Sequence, residues 1–142
     1  MKAEELMVGD WVHYKMDLGK DGIYEKDIRI NNIYGSEVNC ELRGYEIISG
    51  KSSSNLYPIP LTPEILEENA NGGWCNYQSE PEGRSIYHIG EVAVYVEWER
   101  IVPSPYIEIH GLGDTFFKGY IDYVHQLQHA LRLCGVEKEI VL

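Results

Sequence analysis

Apolar residues in the first part of the chain fall in short alternating runs separated by turn residues. Gly9-Asp10 sets a turn before Trp11, Val12 and Tyr14, and a polar, glycine-containing loop follows over residues 17–22. Ile28, Ile30 and, after two asparagines, Ile33 predict a second strand ending at Gly35. Val38, Cys40 and Leu42 alternate with Glu37, Asn39, Glu41 and Arg43, the pattern of a half-buried strand. Gly44 leads into a fourth run, Tyr45-Glu46-Ile47-Ile48. Leu56-Tyr57-Pro58-Ile59-Pro60 is extended, because each proline pushes its predecessor out of the helical region. Five short strands at this spacing predict a small SH3-like barrel over residues 1–61, since closing the sheet hides its edges.

The period then changes. Thr62 can cap a helix, Pro63 fits its first position and Glu64 suits its positive end. Leu61 and Leu66 stand at the positions of a hydrophobic staple. Asn71-Gly72-Gly73 ends this helix within about two turns, so it must lean on other structure, and plugging one end of the barrel is the expected role. Trp74 and Tyr77 return to β-structure, with a turn at residues 79–83. After Ile86 and Tyr87, the residues Val92, Val94, Val96 and Trp98 share one face of a strand, with Ala93, Tyr95, Glu97 and Glu99 on the other. Pro103 and Pro105 break it. Ile107 and Ile109 alternate with Glu108 and His110, and Gly111-Leu112-Gly113-Asp114 turns the chain. From Tyr120 the positions Ile121, Val124, Leu127, Leu131 and Cys134 follow a 3.6-residue period that predicts a helix over 120–134, with Gly135 as its C-terminal cap. Residues 136–142 alternate weakly and suit an edge strand.

The expected fold is therefore α+β. A small barrel over 1–61 is followed, over 62–142, by a short capped helix, a β-meander and a C-terminal helix that share a core with the barrel.

Three segments carry a resemblance. They are the opening Met-Lys-Ala-Glu-Glu-Leu-Met-Val-Gly-Asp-Trp-Val, the central stretch from Pro58 to Leu66, and the closing stretch from Tyr123 to Ile140. Together they resemble an uncharacterised family of small proteins of gut Bacteroidetes, often encoded near phage-like or mobile genetic regions. The resemblance implies a shared scaffold and the setting of a mobile-element accessory protein. It brings no activity, ligand or catalytic residue.

Charge narrows the function classes. The 142 residues hold 12 Lys+Arg against 23 Asp+Glu, a net charge of −11. The cations are scattered singly, so no basic stripe is present to bind a phosphate backbone. The acidity keeps a small protein soluble, or suits a basic partner. No apolar run reaches the length of a membrane span and no signal sequence opens the chain, which predicts a cytoplasmic protein with no membrane partner. Cys40, Cys75 and Cys134 form no Cys-x-x-Cys pair, and each has apolar neighbours.

Catalytic motifs are weak. His125-Gln-Leu-Gln-His129 has the i, i+4 spacing of a zinc-binding helix face, with His110 or His88 as a conceivable third ligand. Gln126 stands where a metalloprotease needs its glutamate, and an amide is no general base. No Gly-x-Ser-x-Gly elbow or catalytic cysteine signature occurs, and Gly111-Leu112-Gly113 lacks the rest of a dinucleotide loop. Glu97 and Glu99, with Glu91 nearby, read as a solvated strand face rather than a carboxylate pair. No catalytic residue, metal ligand or cofactor is assigned.

Aromatic residues are abundant, with 11 Tyr, 3 Trp and 2 Phe. Tyrosine and tryptophan join an apolar body to a polar tip, which suits partner surfaces. Trp74, Tyr77 and Tyr95 are the expected contact residues. The expected function is a non-enzymatic protein-interaction module with an unidentified protein partner and no direct nucleic-acid contact. The alternatives are a hydrolase with an unrecognised carboxylate/histidine site, and an acidic nucleic-acid mimic that captures a DNA-binding protein.

Overall fold

The structure is a computed structural model that describes residues 1–35, 37–42, 46–71, 75–77, 84–98 and 104–142. Side chains are described within these ranges except at positions 3, 41–42, 46–53 and 75–77. The fold is α+β, with two antiparallel sheets and two α-helices among the described residues. It divides into two compact units, Met1–Ile59 and Pro60–Leu142.

In the first unit the Gly9-Asp10 turn forms where the sequence predicts it. Gly9 takes φ 89°, a value that costs glycine little. The fully buried Asp10 carboxylate accepts the Met7 N–H at 2.7 Å, and the Asp10 N–H donates to the Met7 carbonyl at 3.1 Å. Strand β1 (Trp11–Asp17) leaves this turn and pairs with β2 (Ile23–Tyr34). Strands β3 (Glu37–Leu42), β4 (Glu46–Ser52) and β5 (Leu56–Tyr57) complete an antiparallel sheet of order β4-β3-β2-β1-β5. A register shift between Ile30 and Asn32 explains the spacing of the isoleucines. The extra residue restores parity, so Ile30 faces Cys40 and Ile33 faces Val38. Val12, Tyr14, Ile28, Ile30, Val38, Cys40 and Leu56 are buried together as this unit's core. Among the described residues β4 and β5 are the two edges of an open ladder, so the sheet is not a closed barrel.

The second unit opens with α1 (Pro63–Asn69). The Thr62 hydroxyl accepts the Ile65 N–H at 3.4 Å, and both staple residues, Leu61 and Leu66, are buried. This helix belongs to the second unit, where it lies against a strand of that unit's own sheet. The sheet comprises β6 (Cys75–Tyr77), β7 (Arg84–Ile89), β8 (Val92–Glu97), β9 (Tyr106–Gly111) and β10 (Asp114–Tyr120), in the order β10-β9-β8-β7-β6. The strand against α1 is β7.

Val92, Val94 and Val96 share a buried face with Tyr87, Ile89, Ile107 and Ile109. Trp98 does not join them, because β8 ends at Glu97 and Trp98 is half-buried beyond it. The expected turn at residues 79–83, Gly72-Gly73, Glu99 and Pro103 lie outside the described residues.

Helix α2 spans Val124–Leu133 rather than starting at Tyr120. Tyr120 is still paired with Tyr106 in the sheet. The helix start is fixed by Gln126, whose side-chain oxygen accepts the N–H groups of Asp122 at 2.9 Å and Tyr123 at 3.2 Å. Its end is the Gly135 cap that the sequence predicts. Gly135 has φ 78°, its N–H bonds the Arg132 carbonyl at 3.0 Å, and the Val136 N–H bonds the Leu131 carbonyl at 2.9 Å. This is a Schellman motif, completed by the burial of Val136 and Leu131.

Residues 136–142 form no strand, contrary to their alternation. They are held by side chains instead. The Asn69 amide accepts the Val141 N–H and donates to the Val141 carbonyl, both at 2.8 Å. Lys138 Nζ donates to the Asn69 carbonyl at 2.7 Å, capping the C-terminus of α1 with a positive charge.

Candidate functional site

The second sheet has two unlike faces. One is the core face, and the other carries Arg84, Ile86, Ala93, Tyr95, Glu97, Tyr106, Glu108, His110, Lys118 and Tyr120 at half-buried or exposed positions. Alternation alone produces this division, since successive side chains on a strand point to opposite sides. The cross-strand register then decides which residues of the outer face meet. Tyr95 pairs with Ile86 on one side and Glu108 on the other, Glu97 with Arg84 and Tyr106, and Tyr106 with Tyr120.

These neighbours interact. The Tyr95 and His110 rings lie 4.7 Å apart, and those of Tyr106 and Tyr120 lie 5.3 Å apart edge to face. Arg84 Nε sits 3.2 Å from Glu97 Oε2. Glu108 is central, with its side chain only 15% exposed. Its Oε2 lies 3.0 Å from His110 Nε2 and its Oε1 lies 3.5 Å from Lys118 Nζ. The hydrogen bond from His110, helped by the charges of Lys118 and Arg84, holds the Glu108 carboxyl below the usual carboxylate range against the opposing effect of its partial burial.

Across the hairpin, His110 Nδ1 lies 3.3 Å from the Thr115 hydroxyl. The β9–β10 turn that brings them together has φ 52° at Leu112 and 89° at Gly113, the double positive φ of a type I′ hairpin turn. A register shift between Thr115 and Phe117 follows. Phe116, the extra residue, lays its ring over Gly111, where a Cβ would meet it at 2.5 Å.

Of the expected contact residues, Tyr95 stands at the centre of this face. Tyr77 is in β6 at the register position opposite Arg84, which borders the same face. Trp74 lies outside the described residues. Glu97 is paired with Arg84 rather than with a second carboxylate, and Glu91 is exposed at the β7–β8 turn. Sequence reasoning missed Glu108, His110 and Thr115 as a connected group. Their alternation was legible, but their contact depends on the hairpin register.

The other motifs resolve differently. His125 is buried, stacks on Tyr123 at 5.8 Å and meets His129 edge to face at 5.8 Å. Gln126, between them, is a helix cap. Among the described residues no group of three or more His, Cys, Asp or Glu side chains is arranged to hold a metal ion. Cys40 is buried in the first unit's core, and burial pushes the Cys134 thiol up. A cleft of about 400 Å³ between the end of α2 and the C-terminal residues is lined by Arg132, Val136, Lys138 and Glu139. The Lys138 ammonium there is already committed to Asn69 and to Asn71 Oδ1, at 2.6 Å. No helix among the described residues is long and apolar enough to cross a membrane.

Comparison with known proteins adds no relative: no protein-family profile, no curated protein and no solved structure matches the chain.

Proposed function

We propose that the chain is a non-enzymatic protein-interaction module that docks a basic, partly apolar segment of a partner protein on the outer face of its second sheet. The observation that carries this reading is the grouping of Tyr95, Tyr106, Tyr120 and His110 around two sunken carboxylates, Glu97 and Glu108. Tyrosine faces bind apolar groups and cations alike. The partners of the carboxylates, Arg84 and Lys118, have side chains 45% and 54% exposed. They can swing out and yield their places to cations of a partner. Charge complementarity supports the same choice. The unit Pro60–Leu142 holds 13 of the chain's 23 acidic residues and 5 of its 12 cations, a charge of −8. Such a field speeds capture of a basic segment and repels nucleic acid.

The first unit is the scaffold half of this reading. Its meander, with a 3-10 turn at Ser53–Asn55 and a last strand returning to β1, supports assignment to the SH3-like class.

Selection of random displayed peptides on the full chain tests the docking reading. Enriched peptides should combine Lys or Arg with apolar residues and should bind more weakly at high salt. Their affinity should fall about tenfold, or 1.4 kcal/mol, in Tyr95→Ala. Peptides that bind Tyr95→Ala as well as the parent chain would place the docking surface elsewhere.

A further inference from the structure

The contacts of His110 form an ordered chain. Glu108 is held as a carboxylate, so it can only accept a hydrogen bond. The 3.0 Å contact with His110 Nε2 therefore requires the imidazole to carry its hydrogen on that nitrogen. In the neutral ring this leaves a lone pair on Nδ1. The Thr115 hydroxyl lies 3.3 Å from it, donating to Nδ1. A hydroxyl, an imidazole and a carboxylate in this order make the arrangement that raises the nucleophilicity of an alcohol. The distance to Thr115 is at the long end, as such contacts are before a reactant is bound.

Two features of the surroundings favour reaction at Thr115. The residue is exposed, on β10, which is an edge strand of its sheet among the described residues. It also stands at the bulge that lays Phe116 over Gly111, and the Tyr95 ring packs against the imidazole at 4.7 Å, tilted by 58°.

We propose that Thr115 is a covalent modification site that accepts acyl groups from activated esters. His110 acts as general base and Glu108 as the positioning residue that fixes the imidazole tautomer. In the step, Thr115 Oγ1 attacks the acyl carbon while its proton passes to His110 Nδ1. The bond from that carbon to the leaving oxygen breaks, and the leaving group departs as an alkoxide or phenolate. The histidine then releases the proton to solvent. The product is an O-acyl threonine on the docking face, formed once per chain. This inference does not depend on the docking reading, because it concerns one hydroxyl and its two neighbours.

A fluorophosphonate probe tests it with little interference from lysine. The same attack forms a Thr115 O–P bond and expels fluoride. Intact-mass and peptide mapping of the full chain should show one adduct, on Thr115. Thr115→Val should abolish it and Thr115→Ser should retain it. His110→Gln should slow it about 100-fold. Glu108→Gln should slow it as well, and nitrogen NMR should then show loss of the Nε2–H tautomer of His110, which a merely structural role would not change. Circular dichroism melts of each variant confirm that the fold persists. No labelling of Thr115, or equal labelling in His110→Gln, overturns the proposal.

Discussion

Asn69 and Val141 are joined by a two-way hydrogen bond in which one side-chain amide replaces a neighbouring strand. Asn69 is 1% exposed, and its Nδ2 also donates to the Ile65 carbonyl at 2.7 Å. One residue thus closes the last turn of α1 and anchors the chain 72 positions later. Burying an amide this deeply is tolerable only because its oxygen and both hydrogens find partners.

Asn69→Ala should destabilise the second unit by about 1–3 kcal/mol, since it leaves the polar groups of Val141 without their partner. Asn69→Asp should be no better, because a carboxylate cannot donate to the Ile65 and Val141 carbonyls. Urea melts check both. Equal stability of all three proteins would show that the Asn69 amide does not hold the C-terminal residues, leaving that role to Lys138 and the burial of Val136 and Ile140.

Gly90 and Val136 are the second coupled pair. Gly90 has φ 59° in the two-residue turn between β7 and β8, and a Cβ there would lie 2.9 Å from Val136 Cγ1. Gly135 also has a positive φ, but a Cβ there would meet nothing within 4 Å. Gly135→Ala should therefore show only the cost of the left-handed backbone, about 1–2 kcal/mol. Gly90→Ala should cost more, and the excess should shrink in a Val136→Ala background. A double-mutant cycle by denaturant melts measures that coupling.

Leu131→Ala removes a buried side chain from the Schellman end of α2 and should cost about 2–5 kcal/mol. Glu97→Gln removes one partner of a surface ion pair and should cost about 0.2–1 kcal/mol. Melts that rank these two in the opposite order would contradict the assignment of core and outer faces.

Much of this second unit was legible because its signals are local. Thr62-Pro63, the alternation at Val92, Val94 and Val96, and Gly135 each act within a few residues, and all three function in the structure as their chemistry predicts. The start of α2 was misplaced because Ile121 fits the helical period while Tyr120 is still bound to Tyr106 across the sheet. The alternation of residues 136–142 read as a strand because burial of Val136 and Ile140 leaves the same pattern whether a ladder or an asparagine holds the backbone. The candidate site was legible only at Tyr95. Glu108, His110 and Thr115 come together through the register of a hairpin whose turn begins at Leu112, a residue that sequence preference would not place at positive φ.

Tyr87 and Glu108 each tie the stability of the fold to pH. Burial pushes the Tyr87 phenol above its ordinary value. The stability from keeping it neutral is present below about pH 10 and is lost as pH rises through the raised value. Ultraviolet titration should show a late-titrating tyrosine that vanishes in Tyr87→Phe. Glu108 has the opposite sign. Its carboxyl is held low, so its contribution is present above about pH 4.3 and is lost as pH falls through the folded value. Acid unfolding should begin at higher pH in Lys118→Met, which removes one of the charges holding Glu108 ionised. Unchanged transitions in these variants would contradict the two assignments.

The docking claim is tested most directly by an NMR titration of the full chain with a synthetic peptide of alternating arginine and leucine. The account predicts that the largest shifts fall on Tyr95, Tyr106, Glu108 and His110, and that Tyr95→Ala removes them while the rest of the spectrum persists. Shifts centred instead on the exposed acids of α1, Glu64, Glu67 and Glu68, would mean that the peptide is drawn only by bulk charge and that the outer face of the second sheet is not its site.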